Sequence, residues 1–246
     1  MAKVILAGAA SVVLVVVAAA GWWFLVRDTA QLATSPPEIP AALLNATDTP
    51  AADATETADA TTEVSTDSVL TFAVNSELSE AAYFVNEELA TLGVPSTAKG
   101  TTNQVSGTLY VTQDGSLAAD AASEFTVDLT GLTSDEAKRD DRVQETLETS
   151  QYPTATFTAT GVTGYDASLS EGEEQVLQLT GTLDLHGVQK EVTWEVKAYR
   201  QGDAISAVAT VTVALADFDM TAPTFAQIVS IDDKATLQVQ LIAQAA

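Results

Sequence analysis

The sequence predicts an all-β domain over residues 69–246, about eight antiparallel strands closed into a barrel or stacked as a sandwich. Three observations predict it. Apolar and polar residues alternate with period two in run after run, the spacing that turns one side of a strand to a core and the other to water. A sheet with one wet face is antiparallel, and it hides its edges by closing on itself or packing a second sheet. Only one charged stretch, between about 133 and 148, breaks the alternation, and it has helical character.

Two segments precede the domain. Val4–Val26 is a run of 23 residues with no charge and one hydroxyl, Ser11. As a helix it would be roughly 34 Å long, enough to cross the hydrocarbon core of a bilayer. Trp22, Trp23 and Phe24 gather at its end, where aromatic rings favour the membrane interface. Ala18-Ala19-Ala20-Gly21 resembles a signal-peptide cleavage site, but the apolar run continues to Val26, so residues 1–27 read as a retained transmembrane anchor. Lys3 flanks one side, and after Arg27 no basic residue follows until Lys99. That asymmetry puts the N-terminus in the cytoplasm and the rest of the chain outside it. Residues 28–68 carry eight acids, four prolines and no base. Such a segment buries too little to offset its ordering entropy, so a disordered acidic stalk is expected, with Ala41–Leu44 a small apolar island in it.

The strands follow in order. Val105, Leu109 and Val111 share one face; Phe125, Val127 and Leu129 oppose Glu124, Thr126, Asp128 and Thr130. Thr133 and Glu136 have the spacing of a capping box and open the helix, which runs to about Glu148. Ala155, Phe157 and Ala159 then oppose threonines at 154, 156, 158 and 160. Leu177, Leu179, Gly181, Leu183 and Leu185 share a face, as do Val192, Trp194 and Val196. Ile205 through Leu215, with Val211 and Val213, and Leu237, Val239 and Leu241 complete the set. The inward positions mix Phe125, Phe157 and Trp194 with Gly107, Ala155, Ala159, Gly181, Ala207 and Ala209. Periodicity alone allows two interiors: an open apolar channel, or a filled core where small residues face large ones.

Composition narrows the function. With 34 acidic and 10 basic residues the net charge is −24, which repels nucleic acid and anionic membrane surfaces from the folded part. The chain has no cysteine, so disulfides, thiol nucleophiles and cysteine-bound metals are excluded. His186 is the one histidine and stands beside Gly187 at a hairpin turn, where bonding to backbone is the expected role rather than catalysis. Asp140-Asp141, Asp217/Asp219 and Asp232-Asp233 lack the spaced loop of a calcium site and read as solvated turns. No cofactor is implied, and the expectation is not an enzyme.

Arg139-Asp140 with Arg142-Val143, then Tyr152-Pro153-Thr154-Ala155-Thr156-Phe157, lead to Gly181-Thr182-Leu183-Asp184-Leu185-His186-Gly187-Val188-Gln189-Lys190-Glu191-Val192. In this order and spacing the motifs resemble the YceI family, a resemblance that extends over 69–246. It departs at Arg142, where many members carry histidine. The resemblance implies an eight-stranded, lipocalin-like antiparallel barrel whose apolar channel holds a long isoprenoid, such as a polyprenyl or quinone tail. The lining expected of that channel is Phe125, Val127, Phe157, Leu177, Leu179, Leu183, Trp194, Val196, Val211, Val213, Leu237 and Val239. Arg139 and Arg142 are candidates for a polar rim; pairing with Asp135 and Glu145 is their alternative role. The function expected is that of a membrane-anchored carrier outside the cytoplasm, in contact with the bilayer through residues 4–26. The alternative is a ligand-free structural or stress-response surface domain acting through protein contacts.

Overall fold

A computed structural model of the chain describes residues 30–44, 69–89, 94–223 and 228–246. It distinguishes two compact units, Met1–Gln31 and Leu32–Ala246. The expected anchor, Val4–Val26, lies outside the described residues, and so does the 45–68 part of the expected stalk. Among the described residues, no helix is long and apolar enough to cross a membrane.

The second unit is an antiparallel sheet of eleven strands: β1 (Leu70–Val74), β2 (Glu80–Leu89), β3 (Val94–Thr102), β4 (Val105–Val111), β5 (Glu124–Asp128), β6 (Thr154–Thr163), β7 (Gln175–Leu185), β8 (Val188–Gln201), β9 (Ala204–Ala214), β10 (Ile228–Ile231) and β11 (Lys234–Ala245). β1 and β2 are halves of one bent stave, joined by a 3-10 turn at Ser76–Leu78. β11 pairs with β1 through residues 243–245 and with β2 through 236–240. β3 and β4 make a second bent stave, one half on β2 and the other on β1. With β5, β6, β7, β8, β9 and β11 the sheet closes as a barrel of eight staves, the expected architecture. Closure leaves the main staves without a free edge. β10 pairs only with the far end of β2.

Two helices accompany the barrel, α1 (Ala41–Leu44) and α2 (Ala137–Thr146). α2 begins later than the capping-box spacing predicts, because Thr133 is drawn into the sheet. Its N–H and C=O exchange hydrogen bonds with Thr101 at 3.0 and 2.8 Å. Ser134 organises the helix start instead, its N–H and hydroxyl donating to Asp140 Oδ1 at 2.8 and 2.6 Å.

The described part of the expected stalk differs from a free chain. Leu32–Pro40 is strapped to the outer side of β8, β9 and β11. The Ala33 N–H donates to Gln238 Oε1 at 2.8 Å, and Gln238 Nε2 donates back to the Ala33 carbonyl at 3.0 Å. Lys197 Nζ donates to the Thr34 carbonyl at 2.7 Å. The hydroxyls of Tyr199 and Ser206 both donate to the Pro37 carbonyl, and the Ile39 N–H donates to Tyr199 Oη at 3.1 Å. Three prolines, Pro36, Pro37 and Pro40, hold φ near the value an extended strap requires and so lower the entropy lost on docking. Gln238 and Ser206 stand on the outward parity of their strands, yet are only 3% and 0% exposed. Their polar groups satisfy strap backbone rather than water.

Removing the amide tests this docking. Gln238→Leu leaves both polar groups of Ala33 without their partner. The Ala33 amide is then expected to exchange with deuterium about tenfold faster or more, with barrel-core amides unaffected. Unchanged Ala33 protection shows that Gln238 does not hold the strap.

Candidate functional site

The barrel interior is open. A cavity of about 540 Å³ runs along it, lined mainly by the inward residues of the strands. Its openness originates in β8, β9 and β11, where small residues alternate with moderate ones across the ladders. Val196, Ala209, Val239 and Ala81 follow one another across four strands, and Ala198, Ala207 and Leu241 across three. The bulk stands on the opposite wall, where Phe125, Phe157 and Leu183 are directly cross-strand. Phe157 meets Trp194 edge to face, centroids 5.9 Å apart. Gly181 makes the crowding on this side possible: a Cβ there would lie 2.6 Å from the Phe157 ring.

Of the expected lining, Phe125, Val127, Phe157, Leu177, Leu179, Leu183, Trp194, Val196, Val213, Leu237 and Val239 all face the cavity. Val211 does not. It lies opposite the larger Leu237 on β11 and packs into the core beside it. The rim candidates separate in the same way. Arg139, Val143 and Thr146, at helical spacing i, i+4 and i+7, form the α2 face turned to the cavity. Arg142 stands off that face, is 54% exposed, and pairs with Glu145. At the other end the cavity is bordered by loop residues including Gln113, Tyr165, Glu171 and Glu173.

The polar residues at the α2 end were not among the expected lining. Ala81, Tyr83, Val85 and Glu87 alternate inward on β2 and all line the cavity. Glu87 is a carboxylate on an apolar parity, with its side chain 5% exposed, and Arg139 Nη2 meets it at 3.3 Å. Arg139 also pairs with Asp135, so its guanidinium is shared between two acids. Tyr83 lies beside this cluster, its ring folded over Gly100, where a Cβ would come within 2.3 Å of it. Burial pushes the Tyr83 phenol up to about 12, with Arg139 opposing and Asp140, Glu87 and Asp135 reinforcing the shift. A raised folded-state value keeps its stabilisation below the ordinary value near 10 and loses it as pH climbs towards 12. Compared with Tyr83→Phe, the native chain is expected to lose about 2–3 kcal/mol more between pH 10 and pH 12 in urea unfolding. Identical alkaline profiles would remove the shift.

His186 is not part of the cavity wall. It adopts φ 56 beside Gly187 at φ 73, making the tight turn between β7 and β8. Nδ1 donates to the Phe218 carbonyl at 3.0 Å, and Tyr152 packs edge-on with centroids 4.8 Å apart. The side chain thus pins the turn to the 3-10 segment Leu215–Phe218.

Residues 57–243 match the family described as YceI-like domain, over most of the chain. The chain belongs to the YceI-like family. Protein YceI of Escherichia coli O157:H7 is 37% identical over 122 residues, which are 49% of this chain and 58% of that protein. Protein YceI of Salmonella arizonae is 35% identical over the same length. The chain thus spans somewhat more than half the length of these curated YceI relatives. Among solved structures, a polyisoprenoid binding domain from Saccharophagus degradans implicated in plant cell wall breakdown superposes with a TM-score of 0.56 at 20% identity, covering 72% of this chain and 99% of that one. Burkholderia cenocepacia BcnA gives 0.52 at 16% identity, covering 70% and 99%. These likenesses show the shared YceI-like barrel. The strap, Leu32–Pro40, precedes the part that matches the family.

Proposed function

We propose that this YceI-like chain is a carrier that holds a long isoprenoid lipid, polyprenyl or quinone-like, in the lumen of its barrel. The observation that carries the reading is the lumen itself: about 540 Å³ walled mainly by aliphatic and aromatic side chains that leave it unfilled. Each Å² of apolar surface moved from water into such a channel contributes about 25 cal/mol, so a long hydrocarbon binds by shape and burial without a catalytic group. The Saccharophagus degradans domain, described as polyisoprenoid binding, shares the fold and supports the choice of ligand class. In this reading residues 4–26 cross a cell membrane, with the N-terminus cytoplasmic and the barrel on the other side. The uncharged 23-residue run and the absence of basic residues between Arg27 and Lys99 support that placement. Tethering keeps the barrel concentrated beside the bilayer in which such lipids dissolve.

Native mass spectrometry of the full chain, released gently from membranes, is the test. A non-covalent adduct that dissociates as a prenyl lipid is the expected result. A chain that repeatedly carries no prenyl lipid from cells rich in them would overturn the proposal.

A further inference from the structure

The strap is recognised in the manner of a peptide ligand. β8, β9 and β11 are paired on both sides, so none of them offers a ladder to an added strand. Among the described residues, no backbone–backbone hydrogen bond joins residues 33–39 to the barrel. Four side chains supply the contacts instead, Lys197 and Tyr199 from β8, Ser206 from β9 and Gln238 from β11. Their six hydrogen bonds all end on backbone atoms: the N–H groups of Ala33 and Ile39, and the carbonyls of Ala33, Thr34 and Pro37. Thr34, Ser35 and Glu38 are exposed, whereas Ile39, 8% exposed, is the one buried residue of the segment.

The receiving side chains are set in advance. Gln238 spends one N–H on Thr210 Oγ1 at 3.1 Å, which orients the amide so that its other N–H and its Oε1 meet the two polar groups of Ala33. The Pro37 carbonyl accepts from two hydroxyls, Tyr199 at 3.0 Å and Ser206 at 2.5 Å, using both of its lone pairs. Pro36 and Pro37 keep the backbone extended, a conformation that leaves its carbonyls open to outside donors. This face therefore reads an extended backbone with available carbonyls, and a branched apolar residue two places after the doubly bonded proline. The barrel closes through β1 and β11 without the segment, so the occupant can leave without opening the sheet.

We propose that the outer face of β8, β9 and β11 is a peptide-binding site for extended, proline-containing segments. Residues 33–39 are its tethered occupant, exchangeable for the same sequence supplied from outside the chain, as by a second copy. Within one chain the tether favours the internal occupant. At an effective concentration on the order of 1 mM and an intrinsic dissociation constant of about 0.1 mM, it lowers the affinity for an outside segment roughly tenfold.

The test uses the full chain in phosphatidylcholine nanodiscs and a fluorescein-labelled peptide of residues 30–41, read by fluorescence anisotropy. Ala33→Pro with Ile39→Asp in the chain vacates the face, removing one N–H and the buried anchor while leaving the barrel unaltered. The peptide is expected to bind the vacated chain roughly tenfold more tightly than the native chain. Gln238→Leu or Ser206→Ala in the vacated chain lowers that affinity, by roughly fivefold each. A peptide carrying Ile39→Asp loses roughly tenfold or more, and one carrying Glu38→Ala, at an exposed position, keeps its affinity. Near-UV circular dichroism verifies that the chain variants fold, and the peptide variants probe the same contacts on one unchanged protein. No saturable binding to the vacated chain, equal affinity for vacated and native chains, or undiminished binding of the Ile39→Asp peptide overturns the proposal. None of these outcomes touches the reading of the lumen.

Discussion

Phenylalanine at both Ala207 and Ala209 is expected to empty the barrel of lipid. These two alanines face the cavity on β9, between Val196 and Ala198 on one neighbour and Val239 and Leu241 on the other. None of those side chains is large enough to cross the lumen, which is why about 540 Å³ remains unfilled. Two benzyl groups projecting from the same wall occupy the space a hydrocarbon chain would take. Overpacking of this kind costs about 1–3 kcal/mol per site, less than a well-formed barrel of this size has in reserve, so the domain is expected to fold with a lower melting temperature. Prenyl lipid recovered per barrel, read by native mass spectrometry, is expected to fall by roughly tenfold or more. Undiminished lipid on a folded double variant means that the lipid is held elsewhere, and the carrier reading of the lumen is lost.

Gly181→Val is expected to cost the domain a large part of its stability. A Cβ at that position lies 2.2 Å from the Thr158 carbonyl oxygen and 2.6 Å from the Phe157 ring. The carbonyl belongs to the adjacent strand and cannot move without breaking the β6–β7 ladder, whose partners there include Thr158 with Thr182. The ring cannot yield either, because Trp194 packs against it. A loss of about 3 kcal/mol or more follows from overpacking combined with a disturbed ladder, measured as a shift in the urea midpoint at constant slope. Gly161→Ala supplies the contrast, since nothing lies within 4 Å of the new Cβ and the residue is not in the left-handed region. It is expected to change stability by less than about 1 kcal/mol, towards greater stability. Equal effects of the two substitutions would show that close approach at Gly181 is not what requires glycine there.

The barrel was legible because its message is local. Strand parity depends only on the chain's own alternation, so Phe125, Phe157, Leu183 and Trp194 could be assigned to one interior before any pairing was known. Whether that interior is filled is not a local property. It depends on which strands become neighbours, and here the small residues of β8, β9 and β11 fall side by side while Phe125 and Phe157 pair on β5 and β6. Arg139 and Arg142 looked alike in sequence and separated because the stripe turned to the cavity runs through Arg139, Val143 and Thr146, which leaves Arg142 at its margin, paired with Glu145. Glu87 did leave a signal, a carboxylate on the apolar parity of Ala81, Tyr83 and Val85. Its partner lies 52 residues away and could not be read from it. The strap left still less. A glutamine and a serine on the outward face of a strand look the same whether they meet water or the backbone of residues 33–37.

That strap also acts on the barrel it lies on. Gln238 belongs to β11, Tyr199 and Lys197 to β8, and Ser206 to β9, and all four bond to the backbone of residues 33–37 or 39. One short segment therefore stitches three adjoining staves from outside, on the wall whose inner face carries the smallest side chains.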